Sequence, residues 1–175
     1  MRVAPLARQR RHTLYFLDRV RAFAPVFLDT EIDMGRVLAH RESTPYDGGR
    51  YSYTAYVLYA AGRALLKHPE ANAAVRGRIR PRVARYDTVA AKLTLDATLD
   101  GHRVVLATIL PGVDSAGLPE IQQRINRYRD GDPGRLPEFD RVRALHRVPW
   151  PLGPALFRIA SAPLGRRPGA LGTLA

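Results

Sequence analysis

The chain has 175 residues, 46% hydrophobic and 25% charged. This is the balance of a folded domain rather than of a disordered chain, and the length favours one domain. It contains no cysteine, which excludes a disulfide framework, thiolate zinc, iron–sulfur ligation and a cysteine nucleophile, and fits a reducing cytosol. The net charge is +12, carried almost wholly by arginine, since only Lys67 and Lys92 are lysines; such a field attracts nucleic acid, anionic membrane or an anionic ligand, although a chain so rich in Arg, Ala, Gly and Pro also fits a bias in coding-DNA composition.

No stretch approaches the roughly 18 apolar residues of a membrane helix. Residues 1–11 read as a loose basic arm. Asp18, Arg19 and Arg21 interrupt the apolar residues of 12–28, so no signal-peptide core is expected and the protein is read as cytoplasmic. Residues 12–23 have helical spacing through Leu14, Leu17, Val20 and Arg21, ended by Pro25. From Val26 to Met34 the period changes to two, predicting a strand. Residues 42–50 are a turn-rich loop, after which Ser52 is placed to cap a helix with an apolar stripe of Val57, Ala60, Ala61, Ala64 and Leu65. Pro69 stops that helix.

Residues 86–99 predict the clearest strand, with Val89, Ala91, Leu93, Leu95, Ala97 and Leu99 on one face. Asp100-Gly101 predicts a two-residue hairpin turn. The return strand, 103–110, is almost wholly apolar, which predicts burial on both faces. A helix is expected from about Ser115, with Leu118, Ile121, Ile125 and Tyr128 on one face and Pro119 in its first turn. From Gly131 the texture turns rich in proline and glycine; this part reads either as a poorly ordered end or as part of a larger fold, and carries the only tryptophan, Trp150.

Several segments resemble one known family. Val26 to Met34 is similar to an early strand ending in an acidic run. The helix from Ser52 to Leu66, then His68-Pro69-Glu70-Ala71-Asn72, resembles a helix and H-P-x-x-N signature. The hairpin Val89 to Leu110 and the helical stretch Asp114 to Ile125 come next in the same order. Together they resemble the catalytic domain of the dihydrolipoamide acyltransferase component of 2-oxoacid dehydrogenase complexes, over residues 25–131. The resemblance implies an α/β two-layer sandwich of the chloramphenicol-acetyltransferase type, with a mixed sheet flanked by helices and incomplete in this chain. It divides the chain into an N-terminal arm and helix (1–24), an acyltransferase-like core (25–131) and a Pro/Gly-rich C-terminal segment (132–175) leading to a missing part of the domain.

The same resemblance implies an acyl group moved between a dihydrolipoyl-like thiol and coenzyme A. It implies a homotrimer or higher oligomer, because the family's catalytic His and oxyanion-stabilising hydroxyl meet across a subunit interface. It implies dehydrogenase-complex subunits as partners. Such transfer needs a base for a thiol proton and a donor for the developing oxyanion. The family's H-x-x-x-D-G motif is not among these residues, and Gly172-Thr173-Leu174-Ala175 resembles only the start of the segment leading to the hydroxyl. His102-Arg103 and Ala107-Thr108 stand where the family carries Gly-Leu and Pro-Val. No catalytic residue is therefore assigned in this chain, which is expected to be inactive alone, the missing groups coming from a continuation or from a second polypeptide. His68, Pro69 and Asn72 are read as family-signature residues with a structural role.

Other chemistry is weaker. His12, His40, His68, His102 and His146 show no metal-ligand spacing, so no metal is expected. Ser52 and Ser115 read as caps, and neither a G-x-S-x-G elbow nor a P-loop occurs. Lys67 in a helix and Lys92 within a strand leave no lipoyl attachment site. The densest basic run, residues 76–82, offers Arg76, Arg78, Arg80 and Arg82 as phosphate contacts, toward coenzyme A or nucleic acid, or as a solvated strand edge. A non-catalytic scaffold subunit of the same fold is the alternative function, and nucleic-acid binding the lesser one.

Overall fold

A computed structural model describes residues 6–20, 27, 29–47, 49–76, 82–149 and 151–161. A 3-10 turn, Arg8–Arg10, opens into α1 (Arg11–Val20). Then come α2 (Gly35–Ser43), α3 (Tyr53–Lys67), β1 (Ala73–Arg76), β2 (Arg82–Arg85), β3 (Ala91–Leu99), β4 (His102–Leu110) and α4 (Leu118–Asp130). A 3-10 turn at Pro137–Phe139 leads into α5 (Asp140–Arg147), and α6 spans Gly153–Ser161.

The α/β architecture is as expected, but the described strands form two antiparallel pairs rather than one mixed sheet: β1 with β2 and β3 with β4. Both pairings join neighbours in sequence, where closing the loop costs least entropy. The β3–β4 turn is the predicted one. Asp100 and Gly101 both take positive φ, 49° and 75°, as a type I′ turn demands, and Leu99 faces His102 across it.

The hairpin's inner face carries the core. Ala91, Leu99, Val104, Leu106 and Leu110 are buried there. Around Leu110 they meet Ala55 of α3 and Ile121 and Ile125 of α4. Around Leu106 they meet Phe139, with Val142 of α5 packed alongside. Each such large side chain contributes about 1.5–3 kcal/mol on burial. The expectation that β4 is buried on both faces is corrected: Val105 is 53% exposed, and burial alternates along the strand. An apolar composition does not bury a face that neighbouring elements cover only in part.

The α3 stripe is also corrected. Val57 is 56% exposed, and Ala60 and Ala64 face solvent. The packed positions are Ala55, Leu58, Tyr59, Gly62 and Leu65, because Gly62 lets the helix backbone approach the Val113–Asp114 backbone. The Ser52 cap is present, its Oγ accepting the Ala55 N–H at 3.2 Å. Ser115 instead closes a turn onto the Gly112 carbonyl, and α4 begins at Leu118 with its proline in the first turn.

The strand expected over 26–34 does not form in its described part. Phe27 is 81% and Ile32 69% exposed, and Val26 and Leu28 lie outside the described residues. Strand periodicity needs a ladder partner to become a strand, and residues 29–34 are paired with none among the described residues. Asp33 Oδ1 accepts the Gly35 N–H at 2.8 Å and turns the chain into α2.

From Arg8 onward the basic N-terminus is docked rather than loose. Gln9 donates to Asp100. The buried face of α1 centres on Tyr15, not on Leu14 and Leu17, which remain exposed. Tyr15 stacks obliquely on Phe157 of α6 with centroids 6.0 Å apart, and its hydroxyl abuts Gly153. The proline-rich part is thus ordered as helices through Ser161. Trp150, Pro25 and Gly172 to Ala175 lie outside the described residues.

Candidate functional site

The His68–Asn72 segment sits where α3 ends. His68 caps the helix, its N–H shared between the Ala64 and Leu65 carbonyls at 3.1 and 3.2 Å. Its own carbonyl accepts the Ala71 N–H at 2.9 Å, so His68, Pro69 and Glu70 form an exposed turn. Asn72 is 2% exposed. Its Nδ2 donates to the Tyr86 and Thr88 carbonyls at 2.9 and 3.3 Å, and its carbonyl accepts the Tyr86 N–H at 3.0 Å. The adjoining Val89 N–H donates to Asp114 Oδ1 at 2.8 Å. These bonds pin the exit of α3, the approach to β3 and the loop before α4 at one corner.

The arginine run is divided by the hairpin β1–β2. Arg76 ends β1 opposite Arg82, which opens β2; Arg82 and Arg85 are exposed. Arg78 and Arg80 lie outside the described residues. Lys67 is exposed on α3. Lys92 lies 4.2 Å from the centre of the Phe16 ring, where burial lowers its pKa.

Two histidines far apart in sequence meet. His12 Nδ1 lies 3.0 Å from His146 Nε2, and His12 Nε2 lies 3.0 Å from the Val105 carbonyl oxygen. A carbonyl can only accept, so His12 Nε2 carries the hydrogen. Nδ1 of the neutral ring is then an acceptor, and His146 Nε2 donates to it. His146 is buried, and burial first, then the His12 charge, lowers its pKa to about 4, against a weaker opposite pull from Asp100.

The carbonyl that anchors this pair belongs to the edge of β4 that no described strand pairs with. In a two-residue hairpin, residues 103 and 105 of β4 point their backbone groups away from β3. Arg10 Nε donates to the Arg103 carbonyl at 3.1 Å and His12 to that of Val105. Side chains of the first 3-10 turn and of α1 thereby occupy the edge that would otherwise invite strand addition. Beside them a cleft of about 380 Å³ is lined by Leu6, Leu14, Val105, Arg10 and the Arg103–Asp96 ion pair.

A second cluster joins α2 to α3. His40 Nδ1 and the Tyr56 hydroxyl share a 2.8 Å hydrogen bond. Tyr51 lies against both rings, and Arg41 donates to the Tyr51 carbonyl. Burial, then Tyr51, raises the Tyr56 pKa, partly offset by Arg41. Buried Gln122 accepts from both the N–H and the hydroxyl of Ser52, at 2.6 and 2.9 Å. The Ser52 hydroxyl is thus engaged in capping and anchoring. Among the described residues no three His, Asp or Glu side chains are placed to hold a metal ion, and no helix is long and apolar enough to cross a membrane.

Sequence reasoning reaches the His68–Asn72 turn but misses the His12–His146 pair and the His40–Tyr56 pair. The first joins residues 134 positions apart and leaves no local signal. The second is foreshadowed only by the tyrosines clustered around position 53.

No protein-family model matches the sequence, and no curated protein matches it. Among solved structures, the chain is similar to that of a probable dihydrolipoamide acetyltransferase from Listeria monocytogenes 4b F2365, with a TM-score of 0.63 at 14% identity. The match covers 80% of this chain and 60% of that one. At this identity the likeness is one of fold.

Proposed function

We propose that this chain is part of a coenzyme A-dependent acyltransferase that moves an acyl group between a dihydrolipoyl-like thiol and coenzyme A. The observation that carries the reading is the fold it shares with the acetyltransferase structure over 80% of its length. The His68-Pro69-Glu70-Ala71-Asn72 turn, set at the end of α3, adds to it.

The reaction needs a histidine near neutral pKa as base and a hydroxyl aimed at the tetrahedral oxyanion. In this proposal both lie beyond the 175 residues, in a continuation or a second polypeptide, and meet across the interface of a trimer or higher oligomer in the cytoplasm. The span of only 60% of the acetyltransferase structure is consistent with that. Dehydrogenase-complex subunits would be the partners. The phosphates of coenzyme A would be gripped by Arg76, Arg78, Arg80 and Arg82, of which the described Arg82 is solvent-facing. The chain itself supplies the scaffold that positions these groups.

Coenzyme A binding tests the reading. Calorimetric titration should show saturable binding that weakens steeply with salt, is competed by adenosine 3′,5′-bisphosphate, and drops on changing the four arginines to glutamine. Absence of saturable binding by the protein isolated from its own cells would refute it.

A further inference from the structure

We propose that His12 and His146 form a proton-counting clasp that fastens α1 to α5 and to the open edge of β4, and that opens when the pair takes up a second proton.

The geometry sets the count. In the neutral pair one proton arrangement satisfies both 3.0 Å contacts: His12 Nε2–H donates to the Val105 carbonyl, and His146 Nε2–H donates to His12 Nδ1. One added proton is accommodated. The singly charged pair then has one hydrogen on each outer nitrogen and a single hydrogen between the rings, in a charge-assisted bond. A second added proton has only the remaining facing nitrogen to occupy. Two N–H groups would then point at each other across 3.0 Å between two cations, so the rings must part.

The surroundings favour this outcome. On the α1 side stand Arg10, held at the Arg103 carbonyl, and Arg11, whose guanidinium reaches the Val148 carbonyl. Arg103 of β4 is already paired with Asp96. On α5 stand Arg147 next to His146, and Arg143 paired with Asp140. Asp100 at the hairpin turn is the carboxylate acting on His146, and Gln9 binds it. Burial of His146 and the charge on His12 oppose its protonation more than Asp100 favours it, with Arg11 opposing it further, so the second proton enters only at low pH.

Parting the rings releases the α1 anchor to β4. The Val105 carbonyl loses its donor, and the edge beside the 380 Å³ cleft becomes open to another strand or to solvent. The clasp thus couples acidification to exposure of a specific sheet edge, while α3 and α4 stay packed on the opposite face through Ala55, Ile121 and Ile125.

The test uses the full chain. Histidine side-chain 15N spectra should show both rings as Nε2–H tautomers at pH 8, and two titration steps separated by well over one pH unit, as coupled sites require. Hydrogen exchange, corrected for intrinsic rates, should show α1 protection falling about tenfold or more across the lower step while α4 changes by less than about twofold. His146→Gln keeps a donor toward His12 Nδ1 without titrating, and should hold α1 protected through that range; His12→Gln serves equally if the first variant does not fold. Two independent titrations near 6.5, or α1 protection lost at the same pH in the variant as in the original chain, would overturn the proposal.

Discussion

A Cβ placed on Gly62 would lie 2.7 Å from the Val113 carbonyl oxygen and 3.0 Å from the Asp114 nitrogen. Helix α3 therefore touches the loop after β4 backbone to backbone, and that loop carries buried Val113 and the Asp114 carboxylate that caps Val89. Gly62→Ala should gain about 1 kcal/mol of helix propensity and lose about 1–3 kcal/mol to the clash. The net expectation is a destabilised protein, because the neighbour is backbone and cannot rotate away. A lowered urea midpoint at unchanged slope checks this; an unchanged or raised midpoint contradicts it.

Asn72 makes a second prediction. Its Nδ2 bonds two carbonyls in a buried corner, so Asn72→Ala strands both acceptors. The cost should be about 1–3 kcal/mol for each group left unsatisfied. His68→Ala, on the exposed turn, should cost much less, since the capping bonds there run through its backbone. Parallel urea melts of the two variants separate the positions.

Gly101 takes φ of 75° in the turn between β3 and β4. Gly101→Ala should lose about 1 kcal/mol through left-handed strain alone, since no atom lies within 4 Å of the added methyl. A urea midpoint unchanged or raised by Gly101→Ala would contradict this.

The acid limb of stability stems from His146. Its native pKa, about 4, lies below its ordinary 6.5, so the unfolded chain binds more protons between these values. The stabilising preference for the neutral ring is complete above 6.5. It is lost progressively as pH falls toward 4. Unfolding free energy measured from pH 7 to 4 should decline in the original chain and decline less in His146→Gln.

Much of the fold was legible because it is written locally. Asp100-Gly101, the alternation of β3, Pro119 in the first turn of α4 and the Ser52 cap are decided by residues within a few positions of one another. The illegible part depends on distant partners. Val26 to Met34 has strand period but lacks a described ladder partner. Val57, Ala60 and Ala64 are apolar as Leu58 and Leu65 are, and the face that packs is the one where Gly62 meets the Val113–Asp114 backbone. Val105 reads as core in a run of apolar residues, yet that face of β4 has only part of a covering layer. At the candidate site, the Asn72 corner grows from a local motif. The His12–His146 pair depends on α1 and α5 meeting at the β4 edge, which no short window of sequence contains.

Under the proposed function, this chain supplies an acyltransferase scaffold and other residues supply the reacting groups. Transfer of an acetyl group from acetyl-coenzyme A to dihydrolipoamide measures it most directly, with the 175-residue chain assayed alone and the protein isolated from its own cells assayed beside it, its intact mass recorded. The native preparation should show transfer and the isolated chain none. Transfer by the chain alone, or none by the native preparation under conditions where it binds coenzyme A, would contradict it.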